Sequence, residues 1–222
     1  MAGVDDDFST NTLPDYTVIS VANGSGTALV VSSGALQISG TTAGTRQAMH
    51  KNWLNGDAGY VAFTLNAAAT TKFSSVVWSM DDAQQNYYGF HIVSGKLYVF
   101  KNIAGTPADI SVAGGITMTW ASGDRAWARF NNDTIEVFQN NTVKFSTITG
   151  TGVNGTVTRN VPHGIGHRRV GLRIEYVSGA SVACTRFEAS DLLAPGNAWD
   201  IPDITPGRFV GRQIAAQRAS IY

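Results

Sequence analysis

The 222-residue chain contains a single cysteine, Cys184, so it can form neither an intrachain disulfide nor a cysteine-based zinc site. Charged residues are also sparse, at 14%, against about 25% in an average globular protein. The 16 basic and 16 acidic residues balance, so no net charge draws the chain to nucleic acid or to an anionic membrane. These shortages exclude disulfide-stapled scaffolds, zinc modules and strongly basic nucleic-acid binders.

Long apolar runs and export signals are missing as well. The first ten residues, MAGVDDDFST, have no basic start and no apolar stretch, and therefore do not fit a signal peptide. No part of the chain reaches the roughly 20 apolar residues that a membrane span needs. We expect a protein that is made in a cytoplasm, lacks a secretory signal and does not insert into a membrane.

Short β-type segments, by contrast, are abundant. They are rich in β-branched and aromatic residues, and no helical period interrupts them before residue 190. The thirteen segments are Tyr16–Val21, Thr27–Val31, Ala35–Ser39, Gly59–Leu65, Ser74–Met80, Tyr88–Val93, Lys96–Ile103, Ile116–Trp120, Arg125–Asn131, Thr134–Gln139, Thr142–Ile148, Val170–Val177 and Ser181–Ala189.

Alternation and turn residues indicate how these segments are arranged. In VGLRIEYV, Leu172 and Ile174 share one face, whereas Arg173 lies on the other, as expected of a half-buried strand. Short links such as Ser94–Gly95 predict antiparallel hairpins, and Ser178–Ala180 is expected to join the last two strands in the same way. The pattern predicts an all-β, two-sheet antiparallel sandwich.

The composition changes after Leu193, which predicts a sandwich over residues 1–193 and a linker with a C-terminal arm over residues 194–222. The linker carries three of the six prolines, and the last 18 residues contain three arginines and no acid. Arginine forks suit acidic groups on a neighbour, and apolar side chains fill grooves. The predicted docking residues are Arg208, Phe209, Arg212, Ile214, Arg218, Ile221 and Tyr222. The arm fits either a short helix over 212–220 or an extended segment ordered by a partner.

Both ends of the sandwich and its middle resemble a known family. The stretches DDDFSTNTLPDYTVI and VGLRIEYVSGASVACTRFEASDL, with the hairpin segments YGFHIVSGKLYVFKNIAG and WARFNNDTIEVFQNNTVKFSTI between them, resemble concanavalin A-like jelly rolls of the laminin-G and glucanase type. The likeness spans about residues 5–193. It implies that the first and last strands lie side by side, with Phe8 and Phe187 close together in the core.

Within that superfamily, the Asp-Asp-Phe opening and the lack of signal and disulfides look most like minor tail or other virion proteins of phages. The resemblance implies a role in adhesion or in particle structure. Together with the C-terminal arm, it leads us to expect a non-enzymatic virion structural protein that is made in the host cytoplasm and anchored by the arm. Its expected partners are other virion proteins, copies of itself and a glycan on the host surface. A capsid decoration protein, a free carbohydrate-binding module and a glycan hydrolase with a nonstandard site remain alternatives.

Catalytic patterns of the related glucanases are absent from the sequence. Glu136, Glu175 and Glu188 are the only glutamates, and none stands in a Glu-x-Asp-x-x-Glu arrangement that would supply the acid and the nucleophile. No Gly-x-Ser-x-Gly nucleophile elbow occurs either. We therefore expect no enzyme activity and no cofactor, with calcium as the one ion that the superfamily commonly holds.

Candidate binding residues divide into two groups. Aromatic rings stack on the apolar faces of sugars, which makes Trp53, Tyr87, Tyr88 and Trp127 candidates for carbohydrate binding, although core packing of each ring is the alternative. Oxygen and imidazole donors predict metal binding at Asp81, Asp82, His163 and His167, and Asp5–Asp7 could also supply calcium oxygens. For PHGIGHRR, which holds both histidines, a simple contact loop is the alternative.

Removal of residues 205–222 should leave a soluble, folded β domain that no longer joins the particle, because the arm and not the sandwich is expected to dock. Circular dichroism would check the fold, and immunoblots of purified particles would measure incorporation against the full-length chain. Normal incorporation of the shortened chain would show that the arm is not an anchor.

Overall fold

The computed structural model describes residues 3–22, 27–40 and 42–191, which form two antiparallel sheets packed face to face. The first, sheet 1, has the order β14-β13-β12-β6-β16-β4-β3, with β1 beside β16. Its strands are β1 (Gly3–Asp6), β3 (Thr27–Ser32), β4 (Ala35–Gly40), β6 (Ala58–Leu65), β12 (Arg125–Asn131), β13 (Thr134–Gln139), β14 (Thr142–Ser146) and β16 (Cys184–Ser190). The predicted linker and docking arm lie outside the described residues.

The second, sheet 2, has the order β10-β9-β8-β7-β15-β5-β2, with β11 beside β9. Its strands are β2 (Tyr16–Ala22), β5 (Gly44–Trp53), β7 (Ser74–Met80), β8 (Tyr87–Val93), β9 (Lys96–Ile103), β10 (Thr106–Asp109), β11 (Ile116–Thr117) and β15 (Arg169–Tyr176). The helical elements of the described chain are two 3-10 turns, Leu13–Asp15 and Ile165–His167. No helix in this part of the chain is long and apolar enough to cross a membrane.

The predicted sandwich and the contact between its ends are confirmed. β1 pairs antiparallel with β16, and Asp6 lies opposite Phe187. Phe8 and Phe187 are both buried in the main core between the sheets. Trp78 of sheet 2 stacks on Phe130 of sheet 1, with ring centroids 5.7 Å apart, so the two sheets also meet through aromatic rings.

Turn chemistry explains the hairpins. The link between β8 and β9 is Ser94–Gly95, and Gly95 has a φ of +74°, a conformation that glycine adopts without strain. Asn132 and Asn140 both have a φ of +51° at the two-residue turns that bound β13, as the tolerance of asparagine for left-handed backbone predicts.

Several details of the sequence prediction are wrong. β5, with ten residues, was not among the thirteen predicted segments, because GTRQAMHKNW mixes polar and charged residues and has a single β-branched residue. Only Ile116–Thr117 of the predicted segment Ile116–Trp120 is a strand. Ser178–Ala180 does not close a hairpin of two paired strands, because β15 lies in sheet 2 and β16 in sheet 1.

β15 is an inner strand of sheet 2, flanked by β5 and β7. Gly171 approaches the backbone of β5 so closely that an added Cβ would collide with the carbonyl oxygen of Ala48. A larger residue at this position would therefore push the two strands apart.

The Gly171→Ala variant should lower the free energy of unfolding by roughly 1–3 kcal/mol, the usual cost of overpacking in a close-packed region. Urea unfolding followed by tryptophan fluorescence would measure the change. Gly166→Ala is the matched control, since its new Cβ meets no atom within 4 Å, and we expect little change there. An unchanged midpoint for Gly171→Ala would show that the strands separate at no cost.

Candidate functional site

Side chains alternate across the strands of sheet 2, so every second residue points away from the core. On this outer face a small apolar cluster forms, separate from the main core between the sheets. Its members are Met49, Val77, Met80, Tyr87 and Phe100. They are buried although they face away from the sandwich, which means that another part of the chain covers them.

The loop between β7 and β8, residues 81–86, lies over this outer face. Gln84 at its centre is buried, and the Nε2 of Gln47 on β5 donates a hydrogen bond to its Oε1 at 3.0 Å. Asp81 shapes the loop, because its Oδ1 accepts the backbone N–H of Gln85 at 2.7 Å and its Oδ2 accepts the side-chain amide of Asn86 at 2.6 Å. The loop is therefore fixed at both its centre and its ends.

A second contact joins this loop to the turn between β9 and β10. The Nδ2 of Asn102 donates to the carbonyl oxygen of Gln85 at 2.5 Å, and the N–H of Gly105 donates to the same oxygen at 3.1 Å. The backbone N–H of Ala104 also donates a hydrogen bond to the Oδ1 of Asn86 at 2.9 Å. Loop and turn together make one rigid wall.

Between this wall and the edge strand β2 lies a cleft of about 220 Å³, which we call the outer-face cleft. One side comes from β2, the opposite side from the loop and the β9–β10 turn, and the floor from β8, β9 and β15. The lining residues are Ile19, Ser20, Val21, Gln84, Gln85, Tyr87, Asn102, Gly105, Pro107 and Arg173. Amides, a phenol and a guanidinium thus share a concave surface with several apolar side chains.

Tyr87 and Arg173 meet at the floor of the cleft. The Nη1 of Arg173 donates to the hydroxyl of Tyr87 at 3.4 Å, and the Tyr87 ring packs edge-on against Phe100, 6.1 Å away. Burial raises the pKa of the Tyr87 phenol, so the hydroxyl stays protonated at neutral pH. It can therefore donate its own hydrogen bond to a ligand.

His91 continues the polar surface beside the cleft. Its Nδ1 lies 2.6 Å from the Oγ of Ser75, and its ring stacks on Phe100 with centroids 4.0 Å apart. Burial, helped by the charge of Arg173, lowers the pKa of His91 to about 3. Because Ser75 is fully buried, this serine–histidine pair cannot reach a substrate as a nucleophile and base would.

Of the four aromatic residues predicted to bind sugar, the structure brings only Tyr87 into the cleft. Tyr88 is a core residue that is fully buried, and its hydroxyl donates to Asp133. Trp127 is 3% exposed and stacks on Phe138 at 4.0 Å, while its indole N–H donates to the carbonyl of Asn140. These placements correct the expectation that the rings of Tyr88 and Trp127 are available to a sugar.

Trp53, the fourth candidate, lies at the end of β5 and outside the cleft. It is 54% exposed, and the guanidinium of Arg169 lies over its ring, 4.3 Å from the centroid. Arg169 in turn pairs with Asp82 at 2.7 Å. Trp53 therefore has an exposed aromatic ring next to Arg169, whose charge is paired with that of Asp82.

The predicted metal residues do not come together. The carboxylate of Asp81 is used by its own loop, Asp82 pairs with Arg169, and the Nε2 of His163 lies 3.0 Å from Asp133. His167 ends a 3-10 turn at the other end of the glycine-containing loop. Within the described residues, no group of three His, Cys, Asp or Glu side chains could hold a metal ion.

The N-terminal aspartates line a second cavity, of about 270 Å³. Asp6 is buried and accepts hydrogen bonds from the Phe8 N–H at 2.9 Å, the Thr12 hydroxyl at 2.7 Å and the Tyr16 hydroxyl at 2.9 Å. Asp5 forms two 2.8 Å bonds with Arg186. These carboxylates stabilise the start of the chain, and they do not converge as calcium ligands do.

The sequence prediction missed Gln84, Gln85, Asn102 and Arg173. Arg173 carried a usable signal, since it stands between the buried Leu172 and Ile174 on an inner strand and so must face outward. The two glutamines and Asn102 carried none, because the sequence does not reveal that their loop and turn fold against each other.

The fold is that of a lectin-type jelly roll. Its structure is similar to the VIP36 exoplasmic/lumenal domain in a form bound to Ca²⁺ and Man2, with a TM-score of 0.55, 6% identity and coverage of 90% of this chain and 91% of that one. It is also similar to the potassium-bound carbohydrate recognition domain of Emp46p, with a TM-score of 0.52, 12% identity and coverage of 82% and 91%.

At these identities the likeness establishes the concanavalin A-like sandwich alone. No protein-family model matches the chain, and a search of curated proteins finds no relative by sequence.

The imidazole of His91 should stay neutral through the pH range in which an ordinary histidine, with a pKa of about 6.5, becomes charged. The unfolded chain takes up this proton below that pH and the folded chain does not, so folding stability should fall as the pH drops toward 3. An NMR titration of the ring nitrogens would report the protonation state directly.

The His91→Phe variant should lose this part of the pH dependence, because its ring cannot take up a proton in either state. A His91 resonance that titrates near pH 6.5 in the native protein would contradict the packing described here.

Proposed function

We propose that this protein binds glycans through the outer-face cleft and catalyses no reaction on them. The observation that carries the proposal is the convergence of planar amides, a protonated phenol and a guanidinium in one concave site. Sugars present hydroxyl groups that need such donors and acceptors, and apolar ring faces that pack on side chains such as Ile19, Val21 and Pro107. A concave pocket with a few convergent polar groups is the usual form of a binding site.

The structural neighbours support this proposal. The Man2-bound VIP36 domain and the carbohydrate recognition domain of Emp46p share the sandwich, so this architecture holds sugars in other proteins. Function does not follow from fold, which is why the proposal depends on the residues of the cleft.

The placement of the glutamates supports a non-enzymatic role. Glu136 pairs with Arg129, and Glu188 pairs with Arg125, so both carboxylates on the outer face of sheet 1 are held by arginines. Their strands, β13 and β16, are three steps apart, about 14 Å at the usual strand spacing. Glu175 belongs to sheet 2. Retaining and inverting glycosidases need carboxyl pairs within about 5–9.5 Å.

We also propose, from the sequence resemblance, that the protein is a structural component of a phage virion, such as a minor tail protein, attached by its C-terminal arm. The sandwich would then display the cleft toward the host surface. A capsid decoration protein and a free carbohydrate-binding module remain the alternatives, and the balanced charge and sparse charged residues fit all three.

The Pro107→Trp variant tests the site. Pro107 is exposed on the edge strand β10, and an indole ring at this position would fill much of the cleft without disturbing the core. We expect binding on a glycan array to weaken by at least about tenfold, equivalent to about 1.4 kcal/mol, with an unchanged melting temperature.

Val143→Trp is the matched control, because it adds the same ring to an exposed position on the edge of sheet 1. Trp53→Ala tests the competing aromatic surface. If Trp53→Ala abolishes glycan binding and Pro107→Trp does not, the site lies at the end of β5. If the unchanged protein binds no glycan, the proposed function is wrong.

A further inference from the structure

The guanidinium of Arg173 forms no ion pair with a carboxylate of the described residues. Among the described arginines, five form ion pairs with carboxylates: Arg125, Arg129, Arg168, Arg169 and Arg186. No carboxylate oxygen of a described residue lies within 4.0 Å of the Arg173 nitrogens. Its neighbour on the same face of β15, Glu175, instead accepts the backbone N–H of Phe73 at 3.2 Å.

The hydrogen-bonding capacity of Arg173 is also underused. Its Nη1 makes one long bond of 3.4 Å to Tyr87, and its Nε is buried with no hydrogen-bond partner among the described residues. The guanidinium lies 5.8 Å from the centre of the Phe73 ring, which holds it in place without neutralising it. A buried guanidinium N–H without an acceptor is costly, so this position favours an acceptor from outside.

The rest of the cleft provides no countercharge. Among the described residues that line the cleft, Arg173 alone is charged, since Tyr87 keeps its proton and is neutral. His91 beside the cleft is neutral, and the charge of Arg173 contributes to keeping it so. The nearby carboxylate of Asp81, whose charge contributes to raising the pKa of Tyr87, is held by hydrogen bonds within its own loop and does not pair with Arg173.

We infer that the outer-face cleft selects glycan units that carry a negative charge, a uronate-type carboxylate or a phosphate ester, and that the guanidinium of Arg173 binds that group. The planar fork of arginine matches the oxygens of both anions, and such charge-assisted bonds are about twice as strong as neutral ones. Gln84, Gln85 and Asn102 line the same cleft, and the amide atoms that do not bond within the protein are suited to sugar hydroxyls. This inference rests on the proposed glycan binding at the same cleft.

The test compares acidic and neutral ligands of the same size on the full-length protein. Isothermal titration calorimetry would use trigalacturonic acid, its trimethyl ester, maltotriose and maltotriose phosphorylated on one hydroxyl. We expect at least one acidic ligand to bind about tenfold more tightly than its neutral counterpart, and the preference to shrink at high salt. The stronger of the two acidic ligands identifies the anion as carboxylate or phosphate.

Arg173→Gln should remove that preference, so that acidic and neutral ligands bind with similar affinity, whereas Arg173→Lys should retain part of it, because lysine keeps the charge and loses the fork. Arg186→Gln is the control, since it removes the same charge from the exposed face of sheet 1. Circular dichroism melting of each variant would identify a loss that comes from unfolding, and the lysine variant keeps the test valid if the glutamine variant does not fold.

Equal affinity for the acidic and the neutral ligand in both pairs, or an acid preference that survives in Arg173→Gln, would overturn the inference. If the protein then still binds a neutral ligand, and Pro107→Trp abolishes that binding, the proposed function stands although the inference about charge fails. The absence of binding by every ligand, acidic or neutral, on the array and in the calorimeter would instead remove the proposed function itself.

Discussion

The pairing of β15 with β5 on one side and β7 on the other is the interaction on which both the core and the cleft depend. Leu172 and Ile174 point from this strand into the core, and Arg173 between them points to the opposite face. The close approach at Gly171 fixes how near β5 can lie. A one-residue slip of register would exchange the two faces, burying the guanidinium in the core and exposing the leucine and isoleucine.

Strand alternation was readable from the sequence because it reports a local property of the chain. Leu172 and Arg173 were assigned to opposite faces, and the hairpin at Ser94–Gly95 was predicted from turn chemistry alone. β5 was missed because its burial comes from neighbouring strands and not from its own composition. Likewise the sequence shows that Tyr87 and Tyr88 are adjacent, but only the register decides which ring faces the core.

The sequence also could not show that the predicted metal residues bind the backbone and other side chains of the protein. Asp81 and Asp6 are the type of residue that binds cations, yet each of these carboxylates accepts hydrogen bonds from residues close in sequence. Short polar side chains at bends commonly serve the backbone in this way. The amino-acid composition does not show whether such a carboxylate binds a cation or accepts hydrogen bonds from the backbone. The cleft residues were missed for a different reason. The glutamines and the asparagine carry no sequence signal, and they come together only because the loop over residues 81–86 contacts the β9–β10 turn.

The hydrogen bonds of the loop over residues 81–86 have a consequence for the affinity of any ligand that binds in the cleft. The centre of the loop is tied to Gln47, its ends to Asp81, and its outer side to the β9–β10 turn. Because these hydrogen bonds already hold the wall of the cleft, little of its conformational entropy remains to be lost when a ligand binds.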